Sequence, residues 1–294
     1  MPSVVIPAYN ESAGIERCLR AVLSQGVADL TVVVVPNACR DDTAAKARAV
    51  PVPDGARVLV AETEQGGKAN ALNLGERALR EAGCDSFPRL FLDGDIELEP
   101  GALAPLFASA AQAGARVVSA EPIFDTRGCG LAVRLFYAAE RFNPYHFTSA
   151  PNGSGTYCVG AEGRARWAEF PKVIADDGFV ERQFAASERE TVLDAARPCR
   201  SRVRVPRTLR ALRGIAARKR LGAAELDRIA PLRADQLSSG GTFGVVVRRM
   251  APRPWLWPAL FVWTAVKVSE RLERGRVARL SGEDRWQQDR SSRA

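Results

Sequence analysis

Leu30-Thr31-Val32-Val33-Val34-Val35 is a nearly unbroken run of β-branched residues, the pattern of a strand buried on both faces of a parallel sheet. Before it, apolar residues recur at helical spacing between Ile15 and Leu23, and Ser3 to Ile6 forms a shorter apolar run. The alternation continues after it, with strands predicted over Arg57–Ala61 and Leu90–Leu92, and helices predicted from Asp41-Asp42-Thr43 and over Lys68–Ala82. Repeated β and α units of this kind predict an α/β fold with a mostly parallel sheet.

Composition limits the class of protein. The chain has 294 residues, of which 46% are hydrophobic, so it can bury one large core or two fused halves. Its 6 cysteines form no Cys-x-x-Cys pair, and His146 is the only histidine, so no zinc pattern is present and reduced thiols are expected. The amino terminus enters an apolar strand at Val4 without a signal-like segment, which predicts a cytoplasmic location.

Two carboxylates follow the predicted strand at Leu90–Leu92, in the triplet Asp93-Gly94-Asp95. Ligands of open α/β sheets bind beyond the carboxyl ends of the strands, and hard divalent cations favour carboxylate and phosphate oxygens. The triplet therefore predicts a metal-bridged diphosphate site. An ordinary turn with capping carboxylates is the alternative.

Four segments in this order resemble the motif series of the family 2 glycosyltransferases. They are Val4-Val5-Ile6-Pro7-Ala8-Tyr9-Asn10-Glu11, Val35-Pro36-Asn37-Ala38-Cys39-Arg40-Asp41-Asp42-Thr43, Gly67-Lys68-Ala69-Asn70-Ala71-Leu72-Asn73 and Leu92-Asp93-Gly94-Asp95. The resemblance covers roughly residues 3–185. It implies a GT-A fold, with a Rossmann-like, mostly parallel sheet flanked by helices, and an enzyme that moves a sugar from a nucleotide diphosphate sugar to a hydroxyl group.

The resemblance also implies a nucleotide pocket in the first loop. Pro7, Ala8, Tyr9 and Glu11 would line it, with Ala8 and Tyr9 against the base and Glu11 as a polar anchor. Simple helix entry, with Glu11 near the positive end of the helix, is an alternative reading that is compatible with this one.

Asn37 stands where the family commonly has an acid that hydrogen-bonds the base. An amide both donates and accepts, so the preferred base could differ from uridine, the commonest in the family. Lys68 matches a position close to the donor. Asp93, with Gly94 beside it, would face the ribose, and Asp95 with Asp93 would hold Mg2+ or Mn2+.

The second half supplies a candidate base. By the same resemblance, Gly153 and Ser154 lie in a glycine-rich segment under the donor sugar, for which a β-turn is the compatible local reading. Asp176-Asp177 matches the acidic pair that carries the catalytic base, with Asp177 preferred and Asp176 as its partner or alternative; a helix cap is the local alternative. Attack by the acceptor hydroxyl in line with the leaving diphosphate would invert the anomeric carbon.

Arginine dominates residues 197–220, which contain no acidic residue. The positive charge of this segment alone exceeds the net charge of the whole chain, +8. Arg213 or Arg220 would reach the leaving diphosphate if this segment matches the arginine-containing motif of the family. Attraction to anionic lipid and a solvated basic helix are the alternatives. Trp255 to Val266 is apolar with basic flanks and too short to span a bilayer. It suits a membrane interface, packing on the domain or a dimer contact.

These readings divide the chain into a nucleotide-sugar-binding half (1–115), an acceptor and catalytic-base half (116–195), a basic segment (196–250) and an amphipathic tail (251–294). The expected partners are a nucleotide diphosphate sugar, a hydroxyl-bearing glycan or lipid-linked acceptor, and an anionic membrane at the inner face of the plasma membrane. Two alternatives remain open, a sugar-nucleotide nucleotidyltransferase and a non-catalytic basic protein that binds nucleic acid or membrane. No nucleic-acid motif is present, so no nucleic-acid partner is expected.

Overall fold

A computed structural model describes residues 1–193, 199–231 and 242–272. Four parallel strands form the first half of the sheet, in the spatial order β3, β2, β1, β4. Their bounds are β1 Ser3–Ala8, β2 Leu30–Pro36, β3 Ala56–Val60 and β4 Arg89–Leu92. All seven residues of β2 are buried, which explains its β-branched composition, because a central parallel strand is covered on both faces.

Helices cover both faces of these strands. Along β1 the side chains alternate, so that Val4 and Ile6 join one buried apolar cluster while Val5 joins the other. Helix α1 packs in the first cluster and α3 in the second. The helices of this half are α1 Ile15–Leu23, α2 Thr43–Ala49, α3 Lys68–Glu81 and α4 Leu103–Ala110.

The second half of the sheet adds antiparallel pairing. The strand β7 (Thr156–Val159) runs antiparallel to β4, and β6 (Val117–Asp125) runs antiparallel to β7. Three further strands, β5 Glu97–Leu98, β8 Arg189–Val192 and β9 Arg200–Arg204, complete it, with β8 and β9 parallel to β6. The predicted α/β class with a mostly parallel sheet is confirmed.

The first strand extends further than the sequence indicated. The loop was expected to start at Pro7, but Pro7 and Ala8 are buried strand residues that pair with Val35 and Pro36 of β2. Because β4 pairs with β1 only as far as Val5, Pro7 lies where the strand has a neighbour on one side alone, a position that tolerates a missing N–H group. The loop therefore begins at Tyr9.

The basic segment is part of the fold. Arg200, Arg202 and Arg204 of β9 form ion pairs with Glu121 (2.8 Å), Glu99 (2.6 Å) and Glu97 (3.3 Å). Three of the arginines that the sequence offered to lipid head groups are thus neutralised by acids from earlier in the chain.

The remaining helices are α5 Leu131–Glu140, α6 Tyr145–Thr148, α7 Ala161–Arg164, α8 Asp176–Arg182, α9 Leu209–Ile229, α10 Phe243–Met250 and α11 Trp257–Leu272. Helix α11 packs chiefly on α5. Among the helices in the described ranges, none has the length and apolar content needed to cross a bilayer. Arg197 and residues 273–294 of the amphipathic tail lie outside those ranges.

Candidate active site

The carboxyl ends of three parallel strands meet at one edge of the sheet, where β1 ends at Ala8, β2 at Pro36 and β4 at Leu92. The antiparallel strand β7 begins at the same edge, because its first residue, Thr156, pairs with Leu92, the last residue of β4. The segment that contains Gly153 and Ser154 therefore lies beside the Asp93-Gly94-Asp95 triplet.

Asp93 is held between this segment and a lysine. Its backbone N–H donates to the carbonyl oxygen of Gly155 at 2.9 Å, and its Oδ1 lies 2.6 Å from Lys68 Nζ. Gly155 has a φ of +70°, and a Cβ atom there would lie 2.7 Å from Asp93 Oδ2. Both facts favour glycine at this position, whereas the sequence motif points only to the nearby Gly153 and Ser154.

Lys68, the first residue of α3, joins two of the predicted motifs. Its Nζ also lies 3.0 Å from Asp176 Oδ1, so one ammonium group bridges the triplet and the acidic pair. Burial opposes the charged form of Lys68, but the carboxylates of Asp176, Asp93 and Asp177 outweigh it and raise its pKa above the ordinary value. Lys68 is therefore a stable cation at the centre of the site.

The two adjacent acids occupy different environments. Asp176 is 3% exposed, and burial raises its pKa although Lys68 counteracts this. Its Oδ2 is buried without a hydrogen-bond partner among the described residues. Asp177 is partly exposed, and its Oδ1 accepts a hydrogen bond from the Gly178 N–H at 2.8 Å. Of the pair, Asp177 is the one open to a substrate.

Asp95 and Gly94 pack against the first loop. A Cβ atom at Gly94 would lie 3.3 Å from Glu11 Cγ, and one at Gly14 would lie 3.5 Å from Asp95 Cα. Burial raises the pKa of the Cys18 thiol beneath them, and the carboxylates of Asp95, Glu11 and Asp93 raise it further. The edge of the sheet therefore carries a concentration of negative charge.

A divalent metal at this edge would take its protein ligands from the carboxylates of the triplet. In the described part of the chain, no three His, Cys, Asp or Glu side chains are grouped to hold a metal ion. Asp95 and Asp93 supply hard carboxylate oxygens, and Mg2+ is usually bound by one or two carboxylates together with substrate phosphates. Two carboxylates therefore fit a metal whose coordination is completed by a bound diphosphate.

Asn37 has a structural role at this edge. It is 3% exposed, its Nδ2 donates to the Ala8 carbonyl at 2.8 Å, and its Oδ1 accepts from the Gly67 N–H at 3.1 Å. The amide thus ties the end of β1 to the start of α3. Its predicted contact with a base would have to use the remaining donor and acceptor capacity of this amide. In the loop itself Tyr9 is half-buried and Glu11 is buried.

Ser154 is also engaged within the protein, since its hydroxyl donates to Asn152 Oδ1. The Asn152 carbonyl lies 3.0 Å from Nδ1 of the buried His146, whose Nε2 lies 3.1 Å from Glu140 Oε1. The only histidine therefore connects α5 to the glycine-rich segment. Nothing in the sequence around His146 indicated this role.

A second network that the sequence did not reveal holds α8, the helix that carries Asp177. Tyr145 donates from its hydroxyl to Glu181 Oε2 at 3.1 Å, and Glu181 Oε1 lies 2.6 Å from Arg189 Nη1. Glu181 is one turn after Asp177 on α8, and the Tyr145 ring lies 3.5 Å from where a Cβ of Gly153 would be. Tyr145 therefore spans the gap between α8 and the glycine-rich segment.

The basic helix α9 crosses Ile174 and Ala175, the two residues before the acidic pair. Glu225 Oε2 accepts from the Ile174 N–H at 2.8 Å, and a Cβ at Gly222 would lie 2.8 Å from Ala175 Cβ. Lys219 Nζ lies 3.6 Å from the Cβ position of Gly153, so Lys219 of α9 lies next to this segment.

The two arginines predicted for the diphosphate lie on the same helix as Lys219. Arg213 is exposed, and Arg220 is half-buried with its Nε donating to the Ala216 carbonyl at 3.3 Å. Contact of Arg213 or Arg220 with a diphosphate stays a prediction.

Replacing Gly155 by alanine is expected to lower the free energy of unfolding by more than the same change at Gly153. Both residues have a positive φ, which costs an alanine about 1–3 kcal/mol. Only at position 155 does the new methyl group also collide with Asp93, whereas the nearest atom at position 153 is at an ordinary 3.5 Å. Urea denaturation of the two variants checks this. Equal losses would show that Asp93 moves aside easily.

Comparison with known proteins gives a consistent result. The family described as glycosyl transferase family 2 matches residues 3–159. The crystal structure of S. aureus TarS 1–349 with UDP-GlcNAc has a TM-score of 0.52 at 17% identity, over 97% of this chain and 78% of that chain. The crystal structure of glucosyl-3-phosphoglycerate synthase from Mycobacterium tuberculosis with Mg2+ and UDP has a TM-score of 0.50 at 22% identity, over 82% of this chain and 81% of that chain. At these identities the likeness shows the fold alone.

A curated relative covers a smaller part of the chain. Uncharacterized protein MT1568 of Mycobacterium tuberculosis (strain CDC 1551 / Oshkosh) is 39% identical over 104 residues, which are 35% of this chain and 30% of that protein. The matched part thus spans less than a third of that relative's length.

Proposed function

Because the chain belongs to glycosyl transferase family 2, we propose that it transfers a sugar from a nucleotide diphosphate sugar to a hydroxyl acceptor, with inversion at the anomeric carbon. One observation carries the proposal, namely that Lys68 bridges Asp93 and Asp176 at 2.6 Å and 3.0 Å. This bridge brings the triplet that would hold the donor and the acidic pair that would supply the base to the same edge of the sheet.

In the proposed complex, residues 1–115 bind the donor. Tyr9 and Glu11 would contact the base, with Pro7, Ala8 and Asn37 shaping the pocket floor. Asp93 and Gly94 would lie against the ribose, and Gly153 and Ser154 under the sugar. The Mycobacterium tuberculosis synthase and TarS were solved with UDP or UDP-GlcNAc, which makes uridine the first base to test.

Asp95, with Asp93, would hold Mg2+ or Mn2+. A bound divalent ion would neutralise the charge that develops on the leaving diphosphate. Lys68, and a basic side chain of α9 such as Arg213, Arg220 or Lys219, would add fixed positive charge close to it. The neighbouring synthase structure contains Mg2+, which supports the choice of metal.

Residues 116–195 would receive the acceptor. Asp177 would accept the proton of the acceptor hydroxyl, because it is the exposed member of the acidic pair. Asp176 would remain paired with Lys68 and hold α3 and α8 together. The acceptor is proposed to be a glycan or lipid-linked hydroxyl in cell-envelope or polysaccharide synthesis, used on the cytoplasmic face of the plasma membrane.

The alternative functions gain no support from these contacts. A nucleic-acid surface would need a row of exposed cations, but three of the arginines before α9 are paired with acids. A sugar-nucleotide nucleotidyltransferase would need a glycine-rich, basic phosphate loop after β1, where this chain has Tyr9-Asn10-Glu11.

The proposed function is tested by thermal denaturation with UDP, GDP, CDP and ADP, each with Mg2+, Mn2+ or EDTA. A ligand at about 100 times its dissociation constant stabilises the fold by about 2.7 kcal/mol, so one nucleotide with metal should raise the Tm by about 5 °C. EDTA should abolish the shift. If no nucleotide shifts the Tm in any metal, the donor-site assignment is wrong.

A further inference from the structure

Three large aromatic side chains are exposed at the carboxyl-terminal end of the described chain. Trp255 is 73% exposed, Trp257 57% and Phe261 76%. Arg248, Arg249 and Arg253, at the end of α10 and in the turn before α11, are exposed next to them in sequence. We refer to these six residues as the aromatic–arginine surface.

The surface is fixed in place by the opposite side of α11. Ala259, Trp263 and Val266 are buried in a cluster formed with α5, α9 and α10. Trp263 Nε1 donates to Glu140 Oε2 at 2.5 Å, and Lys267 Nζ lies 3.7 Å from the same oxygen. Helix α11 therefore packs on the domain with one face, as one of the sequence interpretations predicts for this segment.

The other face of α11 continues the exposed apolar surface. Trp257, Phe261, Ala265 and Val268 follow helical spacing and are all exposed. The stripe is about 17 Å long at 1.5 Å per residue, which suits a helix lying along a surface. Contiguous exposed apolar groups of this kind mark interaction sites.

Charge identifies the occupant. Residues 243–269 contain no aspartate or glutamate, whereas they contain Arg248, Arg249, Arg253 and Lys267. Exposed tryptophan and arginine on one short segment are typical of the head-group region of a bilayer, where the ring is half in hydrocarbon and the guanidinium contacts phosphate. We propose that the aromatic–arginine surface binds an anionic lipid bilayer, with α11 lying parallel to the membrane plane.

The aromatic–arginine surface is connected to the candidate active site. The inner face of α11 contacts Glu140, which contacts His146, which contacts the Asn152 carbonyl of the glycine-rich segment. Helix α11 and that segment are thus linked through Glu140 and His146, so a bilayer held on α11 would hold the candidate active site at a defined orientation to the membrane. Binding itself requires no catalysis, so the inference stands apart from the proposed function.

The test is co-sedimentation of the full chain with phosphatidylcholine vesicles, with and without 30 mol% phosphatidylglycerol. The unchanged protein should sediment with anionic vesicles at low salt, and little with neutral ones. Arg248→Gln, Arg249→Gln and Arg253→Gln together should weaken binding about 100-fold, at about fivefold for each basic residue. Trp255→Ser, Trp257→Ser and Phe261→Ser together should reduce it at least as much.

Two variants serve as matched controls. Arg77→Gln with Arg80→Gln removes two exposed arginines from α3, and Val52→Ser removes an exposed apolar side chain elsewhere. Both should bind anionic vesicles like the unchanged protein. For every variant, a Tm close to that of the unchanged protein would show that it is folded. Equal binding to neutral and anionic vesicles, or no binding to either, overturns the proposal. Loss of a dimer in the aromatic variant, seen by light scattering, would overturn it in favour of self-association.

Discussion

Replacement of Asp177 by asparagine is expected to lower the turnover number of sugar transfer about 100-fold to 10,000-fold while leaving the protein folded. General base catalysis contributes about this factor, and an amide cannot accept the hydroxyl proton. The side chain is partly exposed, and its Oδ1 contact with the Gly178 N–H can be kept by the amide oxygen. Initial rates with the donor and acceptor found by screening measure the effect, and the KM for the donor should change little.

Asp176→Asn is the matched comparison, because the two acids are adjacent and lie in different surroundings. Asp176 is 3% exposed and its Oδ1 lies 3.0 Å from Lys68 Nζ. The lost charged hydrogen bond is worth about 2 kcal/mol, but the neutral amide also removes the cost of burying a carboxylate, so the free energy of unfolding should fall by about 1 kcal/mol or less, measured by urea denaturation. The roles would have to be exchanged if Asp177→Asn retained full turnover while Asp176→Asn lost it without loss of stability.

The sequence predicted the sheet because its signals are local. A β-branched run such as Leu30–Val35 identifies a buried strand, and Asp93 and Asp95 follow a strand directly, so their place at the sheet edge follows from topology. The choice within the pair Asp176-Asp177 is different. It depends on which carboxylate the first turn of α8 directs toward Lys68. Two adjacent aspartates are identical in sequence, so the sequence does not show which of them pairs with Lys68.

Long-range pairing explains what the sequence did not show. The strand Arg200–Arg204 alternates outward arginines with the inward Ser201, yet its acid partners are Glu97, Glu99 and Glu121, far away in the chain. From sequence alone, residues 200–204 therefore look like unpaired positive charge. Tyr145 and Lys219 were missed for the same reason, since their neighbours at the site come from other elements.

Asn37 illustrates how a resemblance can locate a residue without giving its contacts. The motif predicts that it contacts the base, and in the structure it lies directly after β2, next to the end of β1. Both its amide nitrogen and its amide oxygen, however, hydrogen-bond backbone groups of Ala8 and Gly67. The amide that replaces the common family acid thus acts first as a brace between β1 and α3.

Replacement of Asp95 by asparagine is expected to weaken Mn2+ binding in the presence of a nucleoside diphosphate at least about 100-fold. Changes near a metal cost about 10-fold to 100-fold in affinity even when they affect only the groups that orient its ligands, and Asp95 is itself the proposed ligand. Mn2+ is followed directly by electron paramagnetic resonance, so the measurement needs no turnover. Turnover should fall with metal affinity, since the diphosphate would leave without charge neutralisation.

Glu97→Gln is the control for Asp95→Asn, because it removes a carboxylate two residues away that is already paired with Arg17 at 3.2 Å and Arg204 at 3.3 Å. It should bind Mn2+ like the unchanged protein. Asp93→Asn should give an intermediate result, because Asp93 Oδ1 is 2.6 Å from Lys68 and the change disturbs that ion pair as well as the metal. If Asp95→Asn and Glu97→Gln bound Mn2+ equally well, the metal would have to be held elsewhere. The carboxylates of the triplet would then serve only to fix Lys68 and the ribose, and transfer would depend on Lys68 and the basic helix α9 for the charge of the leaving group.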